Sequence, residues 1–157
     1  MTEGVATASL WLLVVNLGIA FGAGLYEARI AVPEWIGAAP AYRWNGEAAR
    51  RANVGLRFWV FVTTGPLTLI TLANLAAAWS TMGPERPWWL GAALAALVDR
   101  VFTFSYFVPT MLKLMREEGL AEPRATALAL RWANLNRVRL GIVLAAWLAA
   151  LQAFSLR

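Results

Sequence analysis

Apolar residues run almost unbroken through four stretches of the chain, and polar residues gather between them. The stretches cover about residues 8–32, 56–79, 88–111 and 126–156. A bilayer core of about 30 Å takes roughly 20 helical residues to cross, so each stretch is long enough. The fourth begins amphipathically near Thr126 and becomes wholly apolar from Leu140 to Leu156. The pattern predicts an all-α, polytopic membrane four-helix bundle, with residues 1–157 forming a single domain. The first stretch lacks a basic leader and exceeds the length of a signal-peptide core, so it reads as a span.

Turn residues punctuate the same boundaries. Pro33 follows the first span, Met82-Gly83-Pro84 and Pro87 mark a turn between the second and third, and Gly119 and Pro123 separate the third and fourth. Trp11, Trp35, Trp59, Trp79, Trp88, Trp89 and Trp132 fall mostly near span ends, as an aromatic belt would. Residues 33–55 are too many for a mere connector. Trp35, Tyr42 and Trp44 make this segment apolar, Asn45 can cap a short helix, and Glu47 with Arg51 forms an i,i+4 pair. It reads as an interfacial segment lying over one mouth of the bundle. An ordered loop with no covering role fits the same residues.

Composition agrees with this reading. The chain is 60% hydrophobic and 15% charged, against about 45–50% and 25% for soluble domains. It has no histidine and no cysteine. That excludes disulfides, thiolate and imidazole metal ligation, and Ser-His-Asp catalysis. Chemistry is left to carboxylate, guanidinium, amine, phenol, hydroxyl and amide groups, and no metal or cofactor is expected.

Charge orients the bundle. The face holding both termini, face A, carries Arg86 and Arg157. Face B carries Arg29, Arg43, Arg50, Arg51, Arg57, Lys113, Arg116, Arg124, Arg131, Arg137 and Arg139, with Arg100 inside a span. The positive-inside rule puts face B in the cytoplasm and both termini on the non-cytoplasmic side. The expected setting is a bacterial cytoplasmic membrane. The net charge of +5 is explained by topology and needs no nucleic-acid partner.

Polar residues inside the spans follow helical spacing and should turn inward. Span one has Asn16, Ala20, Ala23 and Glu27, with Gly18 and Gly22 as a small-xxx-small pair. Span two has Thr64, Thr68, Thr71 and Asn74. Span three has Asp99, Thr103, Tyr106, Thr110 and Lys113, and span four has Trp132, Asn136 and Arg139. At about 1.5 Å per residue, Glu27, Tyr106 and Arg139 fall at one level near face B, while Asp99 and Arg100 lie nearer the midplane. As sequence neighbours, Asp99 and Arg100 are expected to point apart, each seeking a partner on another helix or a wet cavity. They are candidates for a structural ion pair. Pro66 and Pro109 sit inside spans and should kink them, freeing carbonyls that must find other donors or face a cavity. The picture is a bundle splayed at face B around a polar pocket walled by aromatics.

Two segments carry a resemblance. One is Trp132-x-x-x-Asn136-x-x-Arg139, within Arg131–Arg139. The other is Gly24-Leu25-Tyr26-Glu27 followed by Val32-Pro33-Glu34-Trp35. Together they resemble the anthrone-oxygenase-like family of small four-helix membrane proteins, also catalogued as a domain of unknown function. The long loop and Phe58-Trp59-Val60-Phe61 suggest a branch distinct from the fungal polyketide enzymes. The resemblance implies oxidation of an anthrone-like polycyclic phenol to a quinone by O₂, with no metal or flavin. The catalytic candidates are then Glu27 as base and Tyr106, Asn136 and Arg139 as donors to the enolate. Trp59, Thr64, Thr103, Thr110 and Trp132 are candidates for holding a lipophilic small-molecule substrate. Two other classes fit the same polar interior. One is a lipophile- or ion-binding or transport module using Glu27, Asp99, Arg100 and Arg139. The other is an accessory membrane subunit with a structural polar core. A homo-oligomer is compatible with all three, and the bilayer is the one partner that all three require.

Overall fold

A computed structural model of the chain describes residues 3–116 and 121–157. The described residues are helical and contain no strand. Four helices are long and apolar enough to cross a membrane: α1 (Glu3–Ile36), α3 (Gly55–Ser80), α4 (Arg86–Met115) and α5 (Glu122–Ser155). A short α2 (Gly46–Ala52) lies between α1 and α3. Each long helix packs along two neighbours, α1 and α4 both lying against α3 and α5. The result is a closed up-and-down bundle. Its termini meet on one face, where the Arg157 guanidinium donates to the Glu3 carbonyl at 3.3 Å.

The face-A half is dry and close-packed. Leu10, Leu13 and Leu17 of α1 meet Ala77 and Ala78 of α3, Ala92 and Ala96 of α4, and Ala146 and Ala150 of α5. Small side chains let helices approach closely, which is what drives association where lipid already solvates apolar groups. Gly18 serves this contact, since a Cβ there would stand 3.2 Å from the Trp147 ring. Gly22 has open space beside it, so the expected glycine pair acts through one member only. Gly24 is the second close approach, with a Cβ there 2.9 Å from Leu140.

Three of the four spans widen near face B into π-helical turns: Glu27–Ala31 in α1, Gly55–Thr64 in α3 and Thr103–Phe107 in α4. Each widened stretch ends two residues before a proline, at Pro33, Pro66 and Pro109. The cause is shared. A proline inside a helix offers no N–H to the carbonyl four residues back, and its ring crowds that carbonyl. Widening the preceding turn moves the carbonyl away. At Pro66 the stranded acceptor is the Val62 carbonyl, and Asn16 Nδ2 of α1 donates to it at 3.1 Å.

Some sequence expectations are corrected here. Pro33 does not end the first span. The helix passes through it to Ile36 and stops at Gly37, whose φ of 74° suits glycine. The tryptophans do not form a simple belt. Trp11 and Trp79 face outward, but Trp35, Trp89 and Trp132 are buried among the helices. Trp89 Nε1 donates to Asn74 Oδ1 at 2.8 Å, and the Asn74 amide donates in turn to Ser9 and Ile70. The turn assigned to Gly119 lies outside the described residues.

The segment before α3 covers the face-B end. Asn45 caps α2 by accepting from the Ala48 amide at 3.0 Å, and Glu47 pairs with Arg51 at 3.7 Å. The last carbonyls of α4 lack helical donors. Trp44 Nε1 reaches Leu114 O at 3.2 Å and Arg50 Nη1 reaches Met115 O at 3.1 Å. The Trp44 amide also donates to Thr126 Oγ1 of α5 at 2.9 Å. The segment is thereby tied across the ends of α4 and α5.

Candidate functional site

A cavity of about 270 Å³ lies between the dry half and the face-B cover. That is just below the roughly 300–1,000 Å³ typical of small-molecule sites. Its wall is mostly apolar, with Leu140 and Val143 of α5 and Phe107 and Met111 of α4 among its lining residues. The polar groups are few: Glu27 from α1, Asn53 after α2, Thr64 from α3, Asp99, Arg100 and Thr103 from α4, and Asn136 and Arg139 from α5.

Glu27 is 6% exposed and sits in the widened turn of α1. Trp59, in the widened turn of α3, donates its indole N–H to Glu27 Oε1 at 3.0 Å. The Asn136 amide and the Arg139 guanidinium also face this carboxylate. Trp59, placed from the sequence as a substrate contact, therefore also orients the candidate base.

Arg139 lies between two carboxylates. Its Nε stands 3.6 Å from Asp99 Oδ1, and its guanidinium carbon lies 4.6 Å above the centre of the Phe107 ring. Asp99 also binds Arg100. The Arg100 Nε donates to Asp99 Oδ2 at 3.0 Å, and Nη2 contacts the same oxygen. The expectation that these neighbours point apart is overturned. Their Cβ atoms do diverge on the helix, but the guanidinium ends a flexible stem and folds back across the turn.

Glu27, Arg139, Asp99 and Arg100 thus form a chain of alternating charge along the inner end of the cavity. Several of its buried polar atoms make no hydrogen bond within the protein: Asp99 Oδ1, Arg100 Nη1 and Asn136 Oδ1. One is a donor and two are acceptors. All three belong to residues that line the cavity.

The structure gathers most of the sequence-nominated residues. Glu27, Asn136 and Arg139 line the cavity, as do Trp59, Thr64, Thr103 and Trp132. Trp132 is already engaged, since its Nε1 donates to the Phe107 carbonyl at 3.2 Å. Tyr106 and Thr110 are not among the lining residues. Tyr106 packs edge-on against Phe107 at 5.3 Å, and its hydroxyl is buried without a partner. The reason lies in the Thr103–Phe107 turn. A stretch with i→i+5 bonds carries more residues per turn, which moves the inward position from Tyr106 on to Phe107, and the α-helical turns that follow keep that phase. Thr103, Phe107, Met111 and Met115 therefore line the cavity, where uniform 3.6 spacing points to Tyr106 and Thr110. Phe107 and Met111 are among the lining residues that sequence reasoning missed. The signal that could have found them is Pro109, two residues past the widened turn.

Comparison with family models, with curated proteins and with solved structures finds no match for this chain.

Proposed function

We propose that this chain is a membrane enzyme acting on a flat, uncharged lipophile of the anthrone or phenol type. Glu27 is the proton acceptor, and O₂ is the oxidant. The observation that carries this reading is the buried Glu27 carboxylate on the wall of an apolar cavity, held by Trp59 and faced by Asn136 and Arg139. A methylene conjugated with the ring carbonyl through the fused aromatic rings gives its proton to Glu27. The resulting enolate is stabilised by the Asn136 amide and the guanidinium groups. Its electron pair passes to O₂, forming a C–O bond. The peroxide takes the proton back, and loss of water leaves a second carbonyl. The balance is R₂CH₂ + O₂ → R₂C=O + H₂O. We also place face B in the cytoplasm, on the excess of basic residues there.

The test uses the protein reconstituted in nanodiscs, with anthrone as probe. Wild type is expected to consume one O₂ per anthrone. Glu27→Gln keeps the side-chain shape and removes the base, so the rate should fall by about 10²–10⁴-fold with thermal unfolding unchanged. Full activity in that variant removes Glu27 as the base. A carrier role without chemistry uses the same cavity, and the three unpartnered polar atoms suit it equally. Anthrone binding with no O₂ uptake in either protein selects that reading.

A further inference from the structure

We infer that the cavity is filled sideways from the face-B leaflet, through a mouth between α3 and α4, and that its ligand is an uncharged lipophile dissolved in the membrane. The inference builds on the reading of the cavity as a small-molecule site and adds the route and the class of molecule that can use it.

The mouth follows from the way α3 and α4 separate. They pack together along Gly65–Ser80 and Arg86–Phe102. Beyond that, Gly55–Thr64 of α3 leans on α1 and forms no packed seam with Thr103–Met115 of α4. The divergence begins where both helices widen, ahead of Pro66 and Pro109. Four residues mark the opening because each lines the cavity and also faces outward. They are Leu56 and Val60 of α3, 61% and 41% exposed, and Val108 and Leu112 of α4, 40% and 52% exposed. All four are aliphatic. Such a lip is compatible with acyl chains and unfavourable to water or ions.

The face-B end is covered instead of open. Trp35 is buried there, and the Trp44 and Arg50 side chains are bonded to the final carbonyls of α4. The inner end sets the charge of the occupant. Glu27 and Asp99 are balanced by Arg100 and Arg139, so an ionised ligand would leave one charge uncompensated in a desolvated site. A neutral molecule with a hydroxyl and a carbonyl meets the unbonded donor on Arg100 and the unbonded acceptor on Asn136.

The chain has no native cysteine, so single thiols report access cleanly. Thr103→Cys places a thiol on the cavity wall, and Leu112→Cys places one on the lip. In proteoliposomes both are expected to react with membrane-partitioning pyrene maleimide. The charged reagent MTSES should react with the Thr103→Cys thiol about tenfold more slowly or worse, because charge is excluded from the apolar lip. Filling the mouth with Val60→Phe and Val108→Phe should slow pyrene maleimide at Thr103→Cys by about tenfold and leave Leu112→Cys reactive. Three results overturn the lateral route: MTSES labelling of Thr103→Cys as fast as pyrene maleimide, a rate unchanged by the two phenylalanines, or failure of either thiol to react with pyrene maleimide. Labelling reads access alone. No anthrone oxidation by the unsubstituted protein, with labelling of the variants as expected, therefore overturns the chemistry and leaves the route standing.

Discussion

Asp99 holds two arginines at once. Its carboxylate serves Arg100 through one oxygen and Arg139 through the other. Removing one partner of a buried ion network strands the rest, at a cost of about 3–5 kcal/mol. Asp99→Asn is therefore expected to lower the thermal unfolding midpoint sharply, measured by circular dichroism in detergent. A midpoint within a degree of wild type would mean that the two arginines find other partners. Glu27 differs in degree, because Arg139 keeps its ion pair with Asp99 when Glu27 is neutralised, and the amide oxygen can still accept from Trp59. This contrast was only partly legible in the sequence. Depth and spacing nominated Glu27, Asp99, Asn136 and Arg139. They did not show that Arg100 folds back on its neighbour, because rotamer choice depends on what else the interior offers.

At the scale of the element, proline sets the geometry. Asn16 supplies the donor that Pro66 withholds from the Val62 carbonyl. Asn16→Leu should leave that carbonyl unpaired and cost about 1–3 kcal/mol. In a Pro66→Ala background the backbone regains an N–H for it, and the same substitution should cost less. A double-mutant cycle on unfolding free energy measures the difference. Equal costs in both backgrounds would show that Asn16 has another role. Helical phase also explains where the sequence was readable. On α5, which has no widened turn, Trp132, Asn136 and Arg139 all reach the wall as their spacing predicts. On α4 the same reasoning holds to Thr103 and then slips by one residue. The number and order of spans were legible because roughly 20 apolar residues are unambiguous. Phase past a proline was not, since one extra residue per turn leaves composition unchanged.

For the whole molecule, the two ends of the bundle differ in charge as well as in packing. The basic cover at face B and the meeting of Glu3 with Arg157 at face A predict opposite results from reporter fusions. Alkaline phosphatase joined after Arg157 should be active when the protein is expressed in bacteria. The same reporter inserted at Ala41, in the covering segment, should be inactive. The reverse pattern would invert the orientation proposed above. The alanine-rich half described earlier has a further consequence. It acts as the stem of a tuning fork, with the face-B ends of α3 and α4 as its prongs. A stem packed by methyl groups and the indoles of Trp89 and Trp147 resists bending, while prongs interrupted by widened turns spread at small energetic expense. On the lateral route proposed above, stability and ligand exchange are lodged in different parts of one short chain, and substitutions should tune either while sparing the other.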